Sequence, residues 1–294
     1  ATVWGFMNRS HLLIAISYIV AIAVAYLSLP IFANYPILVQ VLLADVVATI
    51  VIFGFSLAFR NSSFYDPYWS LVPLVIGIYF VGLADGAVVW RQIMALSVVG
   101  AWSLRLTGNF LFTWEGLEHQ DWRYAELRSQ SGFFWLPVNF FGIHLIPTIL
   151  VFLGCIPLYY ALSIGSRELN IYDALALFTG IASVWLEYQS DAQLHRFRRQ
   201  RQTRQEVLMT GLWSWCRHPN YLGEIGFWFS MLLFGYASTG SIDGWMSVGF
   251  FTMVVLFVFV SIPMIEKKMS RDKQGYADYQ AATFALLPLS RLRR

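Results

Sequence analysis

Long apolar stretches alternate with short polar ones along most of the chain. Leu12–Leu29 is closed by Pro30, and Ile37–Phe59 by Arg60-Asn61-Ser62-Ser63. Trp69–Leu83 is shorter and begins after Pro67. Val88–Trp114 is longer and carries Arg105 and Asn109 inside it. Phe133–Leu162 contains Pro137, Pro147 and Pro157; Ala174–Asp191, Tyr221–Ala237 and Trp245–Ile262 complete the set. About 20 residues of helix cross a bilayer. The pattern therefore predicts an all-α polytopic membrane protein with seven or eight transmembrane helices. It reads as a single domain over residues 1–294, with an amphipathic tail at 266–294. The count turns on Trp69–Leu83, which is short enough to be tilted or re-entrant. Met7–Ser10 lead straight into a full-length apolar run, the pattern of a first span rather than of a cleaved leader.

Composition supports that reading and excludes others. Hydrophobic residues make up 57% of the chain and charged residues 13%, against about 25% charged in an average soluble domain. Mean hydropathy is +0.57. A soluble globular enzyme, a disordered chain and a disulfide scaffold are all excluded. The two cysteines, Cys155 and Cys216, have no metal-ligand spacing.

Charge is unevenly spread. Residues 1–195 hold 7 Lys/Arg and 11 Asp/Glu, net −4, whereas residues 196–294 hold 13 and 6, net +7. The basic residues sit between spans, which speaks against nucleic acid and for membrane lipids and an anionic cofactor. Arg196, Arg198, Arg199, Arg201 and Arg204 form one cluster; Lys267, Lys268, Arg271, Lys273, Arg291, Arg293 and Arg294 form another. Two spans separate them, so the positive-inside rule places both in the cytoplasm. The expected location is the plasma or inner membrane if the host is bacterial.

An ionisable side chain within a span is costly and points to function. Asp45, Asp66, Asp85, Arg105, Glu187, Asp191 and Glu224 qualify. Glu187, Asp191, His195 and Arg198 are spaced 4, 4 and 3 apart, so they share one helix face. That face leads into the arginine run and then into Trp213-Ser214-Trp215-Cys216-Arg217-His218-Pro219-Asn220-Tyr221-Leu222-Gly223-Glu224. His218-Pro219 breaks any helix, and a new one starts near Asn220. A helix N-terminus beside arginines is a natural phosphate or carboxylate site. The segment is suited to a large, anionic, hydrogen-bonding ligand.

RHPNYLGE, residues 217–224, resembles a motif shared by the steroid 5α-reductase family, sterol reductases and membrane methyltransferases of the isoprenylcysteine and phospholipid type. SDAQLHRFR, residues 190–198, and the 29-residue interval from Asp191 to Asn220 resemble the reductase side. The tail EKKMSRDKQGYADYQAATFALLP resembles the C-terminal segment of both branches. NSSFYDPYW and DWRYAELR resemble a bacterial branch of reductase-like proteins. The resemblance runs from about Asp45 to Pro288 and implies NADPH as cofactor.

By matching position it implies that Asp191, Arg198, Asn220 and Glu224 bind the cofactor on the same surface as Glu187 and His195. Arg123 and Arg128 would serve its phosphates. Arg217, His218 and Tyr221 would line the pocket, and Glu266 and Tyr279 would close it from the tail. Steroid reductases polarise a substrate carbonyl with a carboxylic acid and a tyrosine. Asp66 stands roughly at the acid's place, but Trp102, three residues before Arg105, stands where the tyrosine belongs. Trp donates one hydrogen bond but delivers no proton, which leaves Tyr65 or Tyr68 as substitutes. The expected activity is reduction of the carbon–carbon double bond of an apolar, steroid- or lipid-like enone that enters from the bilayer. An S-adenosylmethionine-dependent methyltransferase, or a non-catalytic membrane protein that keeps the fold, are the alternatives. Oligomeric state is not written in the chain.

Overall fold

The structure, a computed structural model, describes residues 9–288. Met7 and Asn8, and the basic end Arg291, Arg293 and Arg294, lie outside the described residues. The described chain is helical throughout. The first four helices are α1 (Arg9–Ser28), α2 (Ile37–Ala58), α3 (Tyr68–Gly82) and α4 (Val89–Thr113). A short α5 (Trp122–Ser131) and a single turn α6 (Trp135–Pro137) lead into α7 (Ile146–Tyr159). Then come α8 (Ile171–Gln200), α9 (Pro219–Thr239), α10 (Gly244–Val255), α11 (Ile262–Asp272) and α12 (Tyr276–Ala282).

Among the described residues, five helical stretches are long and apolar enough to cross a membrane: Arg9–Phe32, Ile37–Ala58, Ser62–Gly82, Trp122–Ile164 and Gly244–Asp272. They coincide with five of the eight expected runs. The helices α4, α8 and α9 match them in length, with 25, 30 and 21 residues, but carry the ionisable side chains. Three segments show local detail. The charged segment 115–132 is not all loop: Asp121 accepts a hydrogen bond from the Arg123 amide and starts α5. α8 continues nine residues past Asp191 to Gln200, so His195 and Arg198 stand on one helix with Glu187 and Asp191, as their spacing implied. The run from 133 to 162 holds its prolines by widening the helix. Wide π turns cover Val138–Leu145 and Leu256–Ser261. Each ends two residues before a proline, Pro147 or Pro263, whose ring would collide with the carbonyl four residues earlier.

The segment 59–67 turns back into the protein. Asn61 caps a 3-10 turn over Ser62–Phe64 and also donates to the carbonyls of Leu117 and His119, at 2.8 and 3.0 Å. Ser62, Ser63, Phe64 and Tyr65 are buried. Non-helical backbone at membrane depth survives only where protein covers it, and here α2 and the 138–145 turn do so. Ser62 donates to Asn139 Oδ1 at 2.9 Å, and Ser56 pairs with His144 Nε2 at 2.9 Å.

Two features lock α4, α8 and α9 together. At one end, fully buried Arg91 donates to Asp173 Oδ1 and Oδ2 at 2.6 and 2.8 Å. It also donates to the Arg167 and Ala237 carbonyls at 2.8 and 3.3 Å. One guanidinium thus ties the starts of α4 and α8 to the end of α9. Towards the other end, Gly223 brings the α9 backbone onto α8. A Cβ there would lie 2.5 Å from Glu187 Cγ and 2.9 Å from the Ser183 carbonyl. Arg91→Ala leaves a buried carboxylate without its partner and is expected to cost about 3–5 kcal/mol. The expected readout is a large drop in thermal stability of the detergent-purified protein; a wild-type melting curve would show that Arg91 is not the latch.

Candidate functional site

The polar faces of α4, α8 and α9 meet one another inside the bundle. Trp102, Arg105 and Asn109 lie on one face of α4; Glu187 and Asp191 are one turn apart on α8; Glu224 faces them from α9. Trp102 Nε1 donates to Glu224 Oε2 at 3.0 Å, and Trp228 Nε1 to Glu224 Oε1 at 3.2 Å. Phe227 stacks on Trp102 with centroids 4.2 Å apart and fixes the indole. Arg105 donates to Asp191 Oδ2 at 2.8 Å and forms a close ion pair with Glu187. Asn109 reaches Asp191 Oδ2 at 3.5 Å. One guanidinium therefore stands among three carboxyl groups. Glu187 and Glu224 lie close enough to share a proton between their carboxyl groups. Arg105 Nε is buried without a protein hydrogen-bond partner, and such orphaned donors are uncommon.

The same face of α8 turns basic beyond this cluster. His195 is half-buried; burial holds its imidazole below the usual range, opposed by Asp191 and reinforced by Arg198 and Arg199. Further on, Lys273 donates to the Glu206 carbonyl at 3.1 Å and closely to that of Arg204. Burial lowers the Lys273 amine, and Arg201 and Arg198 lower it further. Arg198, Arg201 and Lys273 thus gather into one positively charged surface. From Glu187 to Arg198 the helix rises about 16 Å.

The tail is fastened beside it. Glu266 Oε1 accepts from Arg217 Nε at 2.7 Å and meets His218 Nε2 at 2.9 Å; its Oε2 accepts from Gln280 at 2.9 Å. The Arg217 and His218 amides donate to the Phe284 and Ala285 carbonyls at 2.9 and 3.0 Å. Tyr279 makes a close hydrogen bond to the Trp213 carbonyl, and burial raises its phenol above the usual range. Arg217, His218, Glu266 and Tyr279 do come together, but chiefly against one another and the tail backbone.

The expected catalytic residues fall into three different partnerships. The Trp102 N–H is taken by Glu224. The Tyr68 hydroxyl donates to Asp45 Oδ1 at 2.7 Å. Asp66 accepts a close hydrogen bond from Tyr124 of α5. Tyr65, the other substitute, is engaged with Thr148 Oγ1 at 2.9 Å. Arg123 forks onto Asp121 at 2.8 and 3.1 Å, and both act on Asp66 and on Tyr221. Tyr221 stacks on His218 at 5.4 Å, and Asn220 accepts from the Tyr221 amide at 3.1 Å. Arg128 is exposed and lies over the Trp135 ring, 5.8 Å from its centroid, away from these groups. Arg105, Asn109, Trp228 and Tyr124 complete these contacts, and of the four only Arg105 was singled out from the sequence as an ionisable residue within a span. For Arg105 and Asn109 the signal was their spacing of three and seven from Trp102.

These features define a polytopic helical membrane protein with a buried ionic cluster opening towards a basic surface. The chain belongs to the family described as protein of unknown function DUF1295, whose pattern covers residues 52–283. It is 27% identical over 270 residues to an uncharacterized protein of the fission yeast Schizosaccharomyces pombe, covering 83% of this chain and 77% of the relative. No solved structure matches.

Glu266→Ala removes the shared acceptor of Arg217, His218 and Gln280, and hydrogen bonds to charged groups contribute about 1.5–3 kcal/mol. Trypsin is expected to cut at Arg271 and Lys273 at least tenfold faster in the variant. Unchanged cleavage would mean that the tail is held by other contacts.

Proposed function

We propose that this protein is a membrane reductase that uses NADPH to reduce the carbon–carbon double bond of an apolar enone. The observation that carries this reading is the change of charge along one face of α8. Acid surrounds Arg105 at its inner end, and Arg198, Arg201 and Lys273 gather at its outer end. A dinucleotide has the same polarity. Its amide and sugar hydroxyls suit carboxyl and guanidinium groups, and its phosphates need the cations. The resemblance of residues 190–198 and 217–224 to steroid reductases supports the same assignment.

NADPH, when bound, supplies a hydride to the β-carbon of the enone, and the protein supplies position and electrostatics. Glu187, Asp191, Asn109 and Asn220 orient the polar end of the ligand. Arg105 balances part of the acid and holds α4 against α8. The tail fastened through Glu266 keeps bulk water from the start of α9. Negative charge develops on the substrate carbonyl oxygen. In this reading the hydrogen bond between Tyr124 and Asp66 supplies the proton that meets it, and Tyr124 takes the part of the phenol that Trp102 cannot. One such hydrogen bond contributes about 3 kcal/mol to a transition state. With the basic segments in the cytoplasm the cofactor enters from that side, while the substrate enters from the bilayer.

An S-adenosylmethionine-dependent methyltransferase is the second reading. The excess of carboxyl groups around Arg105 favours it, because a sulfonium is cationic. It leaves Arg198, Arg201 and Lys273 without a ligand, which is why the dinucleotide is preferred.

Calorimetry on the detergent-purified protein is expected to show micromolar NADPH affinity and no signal with S-adenosylmethionine; the reverse would transfer the site to methyl transfer. Arg198→Ala is expected to weaken NADPH at least tenfold, about 1.4 kcal/mol, and NADH far less, if it meets the 2′-phosphate. Equal losses would put Arg198 elsewhere on the cofactor. Asp66→Asn is expected to leave NADPH affinity intact and lower turnover by about a hundredfold, and unchanged turnover would remove Asp66 from the chemistry.

A further inference from the structure

A second polar feature lies apart from the ionic cluster. Asp45 sits in the ninth position of α2, about 12 Å along the helix from Ile37, and is 5% exposed. Tyr68 holds its Oδ1, while its Oδ2 is buried with no hydrogen-bond partner. Asp45 and Tyr68 line a cavity of about 280 Å³ between α1, α2 and α3, whose remaining wall includes Ile22, Val41, Ala48 and Val72. No lysine or arginine is among its lining residues. Tyr26 and Ile78, both well exposed, border it on the bilayer side. A larger depression of about 620 Å³ shares Tyr26, Leu29 and Tyr79 with it and continues to Leu83.

A carboxyl oxygen in an apolar cavity costs free energy unless something completes its hydrogen bonding. Were Asp45 only a brace for Tyr68, both its oxygens would be expected to carry partners. The phenol is independently positioned by Tyr18, edge-on at 5.9 Å between centroids, and by Tyr65, tilted at 5.6 Å. The pair is therefore a fixed, polar floor in an otherwise greasy pocket. That is the pattern of a small-molecule site in which a few polar groups set orientation and apolar walls supply affinity.

We propose that this cavity binds a neutral membrane lipid bearing a single hydroxyl, seated with its oxygen on Asp45 Oδ2 and its body towards Tyr26 and Ile78. A hydroxyl suits the site in either protonation state, because it donates to a carboxylate and accepts from a carboxylic acid. A phosphate headgroup finds no cation here. The depression running on from Tyr79 gives an elongated body somewhere to extend. The inference goes beyond the NADPH reading and holds whatever ligand the ionic cluster takes.

The test uses the full chain reconstituted in phosphatidylcholine nanodiscs with two photoreactive diazirine probes, a sterol and a long-chain isoprenoid alcohol, cross-linked sites being read by mass spectrometry. Labelling of peptides from α1, α2 and α3 by at least one probe is expected, and the two arms separate a ring-shaped from a chain-shaped lipid. On wild-type protein, the unlabelled alcohol is expected to compete at least tenfold better than the same molecule lacking its hydroxyl. Asp45→Leu is expected to abolish that preference, and Ala48→Phe to reduce labelling tenfold by filling the cavity. Equal competition by the hydroxyl-free molecule would reduce the cavity to a lipid-filled crevice and overturn the proposal. So would labelling confined to other helices. The competition needs no variant, so it decides the matter even if neither substitution folds.

Discussion

Arg105 and the three carboxyl groups around it could not face hydrocarbon, because an unshielded charge at that depth costs several kcal/mol. Their burial dictates which helices lie inside. The three that carry the cluster, α4, α8 and α9, pack face to face, with Glu187 1% and Glu224 5% exposed. The apolar helices then form the wall. Most of α1 and α2 and the Gly244–Asp272 run is left to lipid: only 28%, 33% and 17% of their most apolar windows is buried inside the protein. The division between an ionic interior and an apolar exterior inverts the pattern of a soluble protein, and it follows from exchanging water for acyl chains as solvent.

Without a hydrophobic drive between helices in lipid, close contact and interhelical polar bonds must hold the bundle. Gly223 supplies the contact by letting α9 lie on the Ser183–Glu187 turn of α8. Gly249 does the same for α10, where a Cβ would run into the Leu153 backbone. The polar bonds stand at both ends of the interior helices, Arg91 with Asp173 at one and Arg105 with Glu187 and Asp191 towards the other. An interior held at two levels leaves little freedom to slide, so the carboxyl groups keep their spacing whether or not a ligand is present.

Much of this was readable in advance, and the reasons for the rest are specific. Bilayer thickness sets the length of an apolar run, so α1, α2, α4 and α9 fall within a few residues of the expected spans. Hydropathy is blind to helix outside the membrane, so only the 4, 4, 3 spacing announced the continuation of α8, and the helix in DWRYAELR was not announced at all. The i, i+4 spacing of Glu187 and Asp191 announced a common face. Nothing local announced that Arg105, more than eighty residues earlier, would fill it. The pairs Asp66–Tyr124 and Asp45–Tyr68 span 58 and 23 residues of chain. They depend on segment 59–67 turning inward, and that turn is held by tertiary acceptors on Leu117 and His119 which no window of sequence displays.

That inward turn also explains why two acids so close in sequence came to differ in role. Asp66 lies on the returning segment and faces α5, where Tyr124, Asp121 and Arg123 crowd it with polar groups. Asp45 stands deeper on α2 and meets only Tyr68 and apolar walls. A proton held at Asp66 is in touch with a polar network that reaches exposed residues of α5, so it can be replenished after a chemical step. A hydrogen bond at Asp45 has no such outlet and can only be exchanged for another ligand's. The proposed chemistry therefore falls to the first acid and the proposed lipid to the second. The 15-residue helix α3 begins two residues after Asp66, and its first residue, Tyr68, is the partner of Asp45.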